Sequence, residues 1–127
     1  MTAEVPTGEV ITQAFHKFYE YVKEAAGEKK AGEFAQSSYR TIEKYFRNLA
    51  AFGLTDNFHL EIKNRTLSDK EILAFSVWML QFLKELKSFM IGLGKTDPQK
   101  ITGELETQLK ALGFYDYFEQ AKELSYG

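Results

Sequence analysis

Residues 67–94, LSDKEILAFSVWMLQFLKELKSFMIGLG, constrain the fold more than any other stretch of the chain. Ser68 and Glu71 have the S-x-x-E spacing of a capping box, in which the hydroxyl accepts from the Glu71 backbone N–H and the carboxylate accepts from the Ser68 N–H. Leu67 and Ile72 occupy the hydrophobic-staple positions around that cap. From Ile72 to Leu83 only Ser76 and Gln81 are polar, and a helix apolar on nearly every side belongs inside a protein or a bilayer. Lys84, Glu85 and Lys87 end the apolar run well short of the roughly 20 residues of a membrane span. The expectation is a central core helix over residues 72–90.

Composition narrows the surroundings of that helix. A chain of 127 residues buries roughly two thirds of its unfolded surface, enough for one domain without a covalent or metal staple, so residues 1–127 are read as a single helical domain. Charged residues make up 27% and apolar residues 44%, too apolar for intrinsic disorder. The absence of Cys excludes disulfides, thiolate zinc sites, iron–sulfur clusters and a cysteine nucleophile, and it fits a reducing cytosol. A net charge of −2 supplies no field that draws in nucleic acid or an anionic membrane. The opening MTAEVPTGEV has neither a basic n-region nor an apolar h-region, so the expected location is the cytoplasm. There the glycosylation spacing Asn64-Arg65-Thr66 has no use.

Helical periodicity organises the flanks. A first helix is expected from about Thr7 to Gly27, with Val10, Ile11, Ala14, Phe15, Phe18, Tyr21, Val22 and Ala25 on one stripe. A second, after a polar link at residues 28–30, carries Phe34, Ala35, Ser38, Tyr39, Ile42, Tyr45, Phe46 and Leu49 toward Phe52, with Gly53 as a left-handed stop. Within residues 54–66, Phe58, Leu60 and Ile62 alternate with His59, Glu61 and Lys63, a strand-like period of two. No second run of that quality is visible, so an extended crossover is predicted in preference to a sheet, with a strand that pairs with its copy in a dimer as the minority alternative. Asp97 and Pro98 open a fourth helix with Ile101, Leu105, Leu109 and Leu112 on its stripe, weakened by Gly103 and ended by Gly113. A short C-terminal helix then aligns Phe114, Tyr117, Phe118, Ala121 and Leu124. The fold class is therefore all-α: four main helices, a short fifth, and one extended crossover.

At 100° per residue, Leu73, Val77, Leu80, Lys84 and Ser88 fall in one row of the central helix. Its far half is polar, while Ile72, Phe75, Met79, Phe82, Leu83, Leu86, Phe89 and Met90 already furnish a core face. The apolar part of the row needs a cover, which three elements can provide: the Phe58, Leu60 and Ile62 segment, a second copy of the chain, or a different partner or apolar ligand. Contiguous exposed apolar residues mark interaction surfaces, so a homodimer or partner face on Leu73, Val77, Leu80, Phe58, Leu60 and Ile62 is the leading functional expectation.

Motifs for chemistry are weaker. GLGKT at residues 92–96 resembles the end of a phosphate loop, but Phe89 stands where the loop's first Gly belongs, and a helix precedes it in place of a strand. His16 lies roughly 160° from the centre of its helix's apolar stripe, beside Glu20 one turn on, and His59 is out of phase with its apolar neighbours. His16 and Glu20, four apart, can share a metal only weakly, so a solvated histidine on a polar face is the favoured reading, and no spacing supports His59 as a haem or metal ligand. Arg40, Lys44 and Arg47 form a basic row on the second helix that can hold an anion, with Glu43 partly neutralising it. Glu104 with Glu106, and Glu119 with Glu123, lack a His partner and read as surface residues. An aromatic-lined pocket built from Phe75, Trp78, Met79, Tyr39 and Tyr45 is the alternative functional seat, for a small-ligand sensor. The sequence thus predicts a non-catalytic cytoplasmic interaction or regulatory module, with no cofactor and no metal.

Overall fold

The computed structural model describes residues 7–63, 66–92 and 96–123. Helix α1 (Thr7–Ala26) buries Val10, Ile11, Ala14, Phe15, Phe18 and Val22 along the expected stripe. Gly27, at φ 94°, turns the chain directly into α2 (Glu28–Glu43), and the two helices pack together. The positive φ suits Gly, which has no Cβ to clash there.

Helix α2 stops at Glu43, well before the Phe52 that periodicity suggested. Past a turn, residues Arg47–Ala51 form a 3-10 helix and Phe52–Leu54 form strand β1. Tertiary contacts account for the early stop. The Tyr39 hydroxyl donates to the Phe52 carbonyl at 2.6 Å and lies 3.3 Å from that of Leu49, while the Phe52 ring enters the core 5.6 Å from Phe75. A continued helix would carry Phe52 away from that seat. Gly53 accordingly lies in a strand and caps nothing.

The alternating segment is extended, as its period of two indicated, and it is paired. Strand β2 (Leu60–Ile62) runs antiparallel to β1, with Phe52 opposite Ile62, Gly53 opposite Glu61 and Leu54 opposite Leu60. The missing partner is the three-residue stretch FGL, too short to show a period of its own. At the tip of this hairpin Thr55 N–H donates to the His59 carbonyl at 3.0 Å, and the Thr55 side chain accepts from His59 N–H at 3.0 Å.

Helix α3 (Asp69–Phe89) starts at the capping box, with Glu71 N–H to Ser68 Oγ at 3.2 Å and Ser68 N–H to Glu71 Oε1 at 2.7 Å. It packs against α1, α2, the 3-10 helix and the C-terminal helix, which makes it the centre of the fold. Beyond it, Asp97 caps α4 (Pro98–Thr102) by accepting from Gln99 N–H at 3.0 Å. Gly103, at φ 47°, breaks what periodicity presents as one helix into α4, a 3-10 turn (Gly103–Leu105) and α5 (Glu106–Ala111). Gly113 in the left-handed region leads into α6 (Phe114–Ala121). The protein is all-α apart from its small hairpin, and no described helix is long and apolar enough to cross a membrane. The glycosylation spacing at Asn64-Arg65, the middle of GLGKT at residues 93–95, the first six residues and Leu124 lie outside the described residues.

Candidate functional site

The apolar row of α3 is not open. Val77 is 1% exposed, Leu80 is 8% exposed and Leu73 is half-buried. The chain's own C-terminal part closes the row at its Leu80 end, because α6 packs along α3 and brings Tyr115 and Phe118 around Leu80. The Phe58, Leu60 and Ile62 segment goes elsewhere. Leu60 is buried, Ile62 is half-buried, and the Phe58 ring stacks on Tyr19 of α1 at 6.0 Å and 15°. Of the six residues expected to form one partner surface, Leu60, Val77 and Leu80 belong to the hydrophobic core, and Phe58, Ile62 and Leu73 pack against it.

Of the aromatic set, Phe75, Trp78 and Tyr39 come together in the core and Tyr45 stands apart. Trp78 is fully buried, stacked 5.2 Å from Phe15 and edge-on to Tyr39 at 5.1 Å and Phe75 at 6.0 Å. Its indole N–H donates to Ser38 Oγ at 3.0 Å, and the Ser38 hydroxyl donates to the Ala35 carbonyl at 3.1 Å. Phe75 and Met79 are equally buried, so side chains fill the space between the helices that the sensor alternative assigns to a ligand. Tyr45 points outward at 57% exposure. The Tyr39 phenol titrates above its ordinary range, first through burial and then through the nearby Glu43 carboxylate.

Arg40, Lys44 and Arg47 do not form one helical row, because α2 ends between the first and the second. Lys44 and Arg47 instead line a shallow depression of about 380 Å3 with Tyr39, Glu43 and Phe46. Glu43 shares that depression, and no ion pair joins it to Arg40 or Arg47 among the described residues.

What the fold builds is a groove of about 830 Å3 between α3, α4 and α6. Leu80 and Leu83 of α3, Pro98 of α4, and Tyr115 and Phe118 of α6 provide an apolar floor. Lys84, Lys87, Lys100 and Lys122 stand around it, with Asp97, Asp116 and Glu119 between them. Lys122 is held by Glu119 at 2.9 Å, whereas no ion pair engages Lys87 or Lys100 among the described residues. The groove wall is stiff where Thr102 Oγ1 and the Tyr115 hydroxyl meet at 2.7 Å, and burial raises the Tyr115 phenol above its usual range. Sequence periodicity indicated Leu80 and Lys84 on one face of α3, but the opposing wall from α4 and α6 carries no sequence mark.

One further juxtaposition escaped the sequence altogether. His16 of α1 and His59 of the hairpin tip, 43 positions apart, place their ring centres 5.3 Å from each other at an interplanar angle of 68°. Comparison with family models, with curated proteins and with solved structures finds no match to this chain.

Proposed function

We propose that this domain is a non-catalytic cytoplasmic binding module that docks an amphipathic, acidic segment of a protein partner on the C-terminal half of α3. The observation that carries the reading is the groove beside Leu80, whose apolar floor lies under lysines from three helices. An apolar floor supplies affinity by dehydration, at roughly 25 cal/mol per Å2 of buried apolar surface. Rim lysines select anionic groups and steer them in, a contribution to specificity and encounter rate more than to raw affinity. The absence of Cys fits a reducing cytosol and supports the cytoplasmic part of the reading. Self-association through the same groove is the form of this reading in which the partner is a second copy.

The experiment is photo-cross-linking from a benzoylphenylalanine placed at Lys87, with the same residue at exposed Lys63 as the control. A trapped polypeptide with an acidic, amphipathic segment at the cross-link supports the proposal, and a product of twice the chain mass identifies self-association. Yields no higher at position 87 than at position 63 reject it. Reversing the rim charge with Lys87→Glu and Lys100→Glu is expected to weaken the bound partner by about tenfold, since exposed ion pairs contribute at most about 1 kcal/mol each.

A further inference from the structure

The two histidines of the chain are brought together by an arrangement that holds them in place from both sides. His16 projects from the middle of a 20-residue helix and is half-buried, with the Phe15 ring 6.5 Å away. His59 is exposed at the hairpin tip, where both its N–H and its carbonyl are bonded to Thr55. One residue earlier, Phe58 adopts a φ of 60°, a region a bulky aromatic residue rarely enters. Its ring lies between Tyr19 and a notch in α2 that exists because residue 32 is Gly: a Cβ at that position would meet Phe58 Cζ at 2.6 Å. Tyr19 is one turn beyond His16 on α1. The contacts Tyr19 to Phe58 and His16 to His59 thus form two successive rungs between the helix and the tip.

We propose that His16 and His59 form a binding site for a borderline divalent transition cation such as zinc, with the ion fastening the hairpin tip to α1. Imidazole nitrogens bind zinc at about 2.0–2.1 Å, and two imidazoles on one tetrahedral ion then have ring centres about 5 Å apart. The observed 5.3 Å matches that separation. Imidazole donors favour zinc, nickel and copper over the oxygen-seeking magnesium and calcium. Among the described residues no group of three His, Cys, Asp or Glu side chains is poised for an ion, so water completes the coordination. Two protein ligands and water make an exchangeable site, distinct in kind from the closed four-ligand sites that hold structural zinc.

Titration of the full chain with zinc chloride, followed through the imidazole resonances, tests the assignment directly, because the chain has only two histidines. Both rings are expected to shift on one isotherm that saturates at one zinc per chain, and magnesium chloride at the same concentration is expected to move neither. His59→Gln, at an exposed position, is expected to lower the zinc affinity measured at His16 by about 10- to 100-fold, the loss expected when a second attachment is removed from an ion held at two points. An unchanged affinity at His16 in that variant, two separate isotherms, or no shift up to millimolar zinc would each overturn the site.

Discussion

The first half of α3 and the hairpin tip represent opposite ways of specifying structure. Helix α3 is announced by neighbours in sequence: a reciprocal cap at Ser68 and Glu71, and a run of apolar residues from Ile72 that three other helices then cover. Nothing in its backbone is unusual. The tip is held against its own local preference, with a phenylalanine in the left-handed region, and the contacts that hold it come from α1 and α2. Positive φ at a non-Gly residue costs on the order of 1–3 kcal/mol and persists only where surrounding structure over-determines it. The comparison teaches that the centre of this protein is fixed locally and then buried, whereas its periphery is fixed by what it touches.

The largest expected effect breaks the buried side of that comparison. Trp78→Ala removes a ring packed among Phe15, Tyr39 and Phe75 and leaves Ser38 without its indole donor. We expect a loss of about 3–5 kcal/mol in denaturant unfolding, with hydrogen exchange accelerated across all helices alike. A loss below about 1 kcal/mol would show that α3 is not the hub.

Gly32→Ala acts on the tip alone. Overpacking against Phe58 costs about 1–3 kcal/mol, and the better helix propensity of Ala returns up to about 1. The net loss should be about 1 kcal/mol, with exchange accelerated at residues 55–59 and unchanged in α3. Uniform acceleration would mean that tip and core unfold together. Ser68→Ala should also cost about 1 kcal/mol and fray the first turn of α3 without moving the hairpin.

The smallest effect concerns Glu85, on the side of α3 that meets α2. Burial raises its pKa above the ordinary carboxyl value, and contacts with Ser37 and Gln81 only partly counter that. One carboxyl oxygen, Oε2, is buried with no hydrogen-bond partner among the described residues. The folded protein thus binds a proton more tightly than the unfolded chain, so stability falls as pH rises from the ordinary carboxyl range through the raised value. Glu85→Gln should be more stable than the parent at neutral pH, and the difference should vanish in acid below that range. A difference independent of pH would remove burial of the charge as its cause.

Particular residues mark where sequence reading reached its limit. The start of α3, the Asp97 and Pro98 opening of α4 and the Gly113 stop were legible because each is a short-range hydrogen-bond or φ requirement. The end of α2 was not, since Tyr45, Phe46 and Leu49 keep helical spacing in a region where Tyr39 binds the carbonyls of a 3-10 helix and a strand. The row at Leu73, Val77 and Leu80 was legible as apolar and in need of a cover, but which element covers it was not, because no periodicity says that α6 returns to lie along it. The groove and the paired histidines were invisible for the same reason.

By itself, then, the sequence determined an all-α domain with Ile72 at the head of its central helix, because caps and amphipathic phase act over three or four residues. Only the tertiary structure decided which strand pairs with residues 60–62, which helix seals Leu80, and that His16 meets His59. Those contacts join residues far apart in the chain, and their free energy comes from burial and close packing that exist only once the helices have assembled.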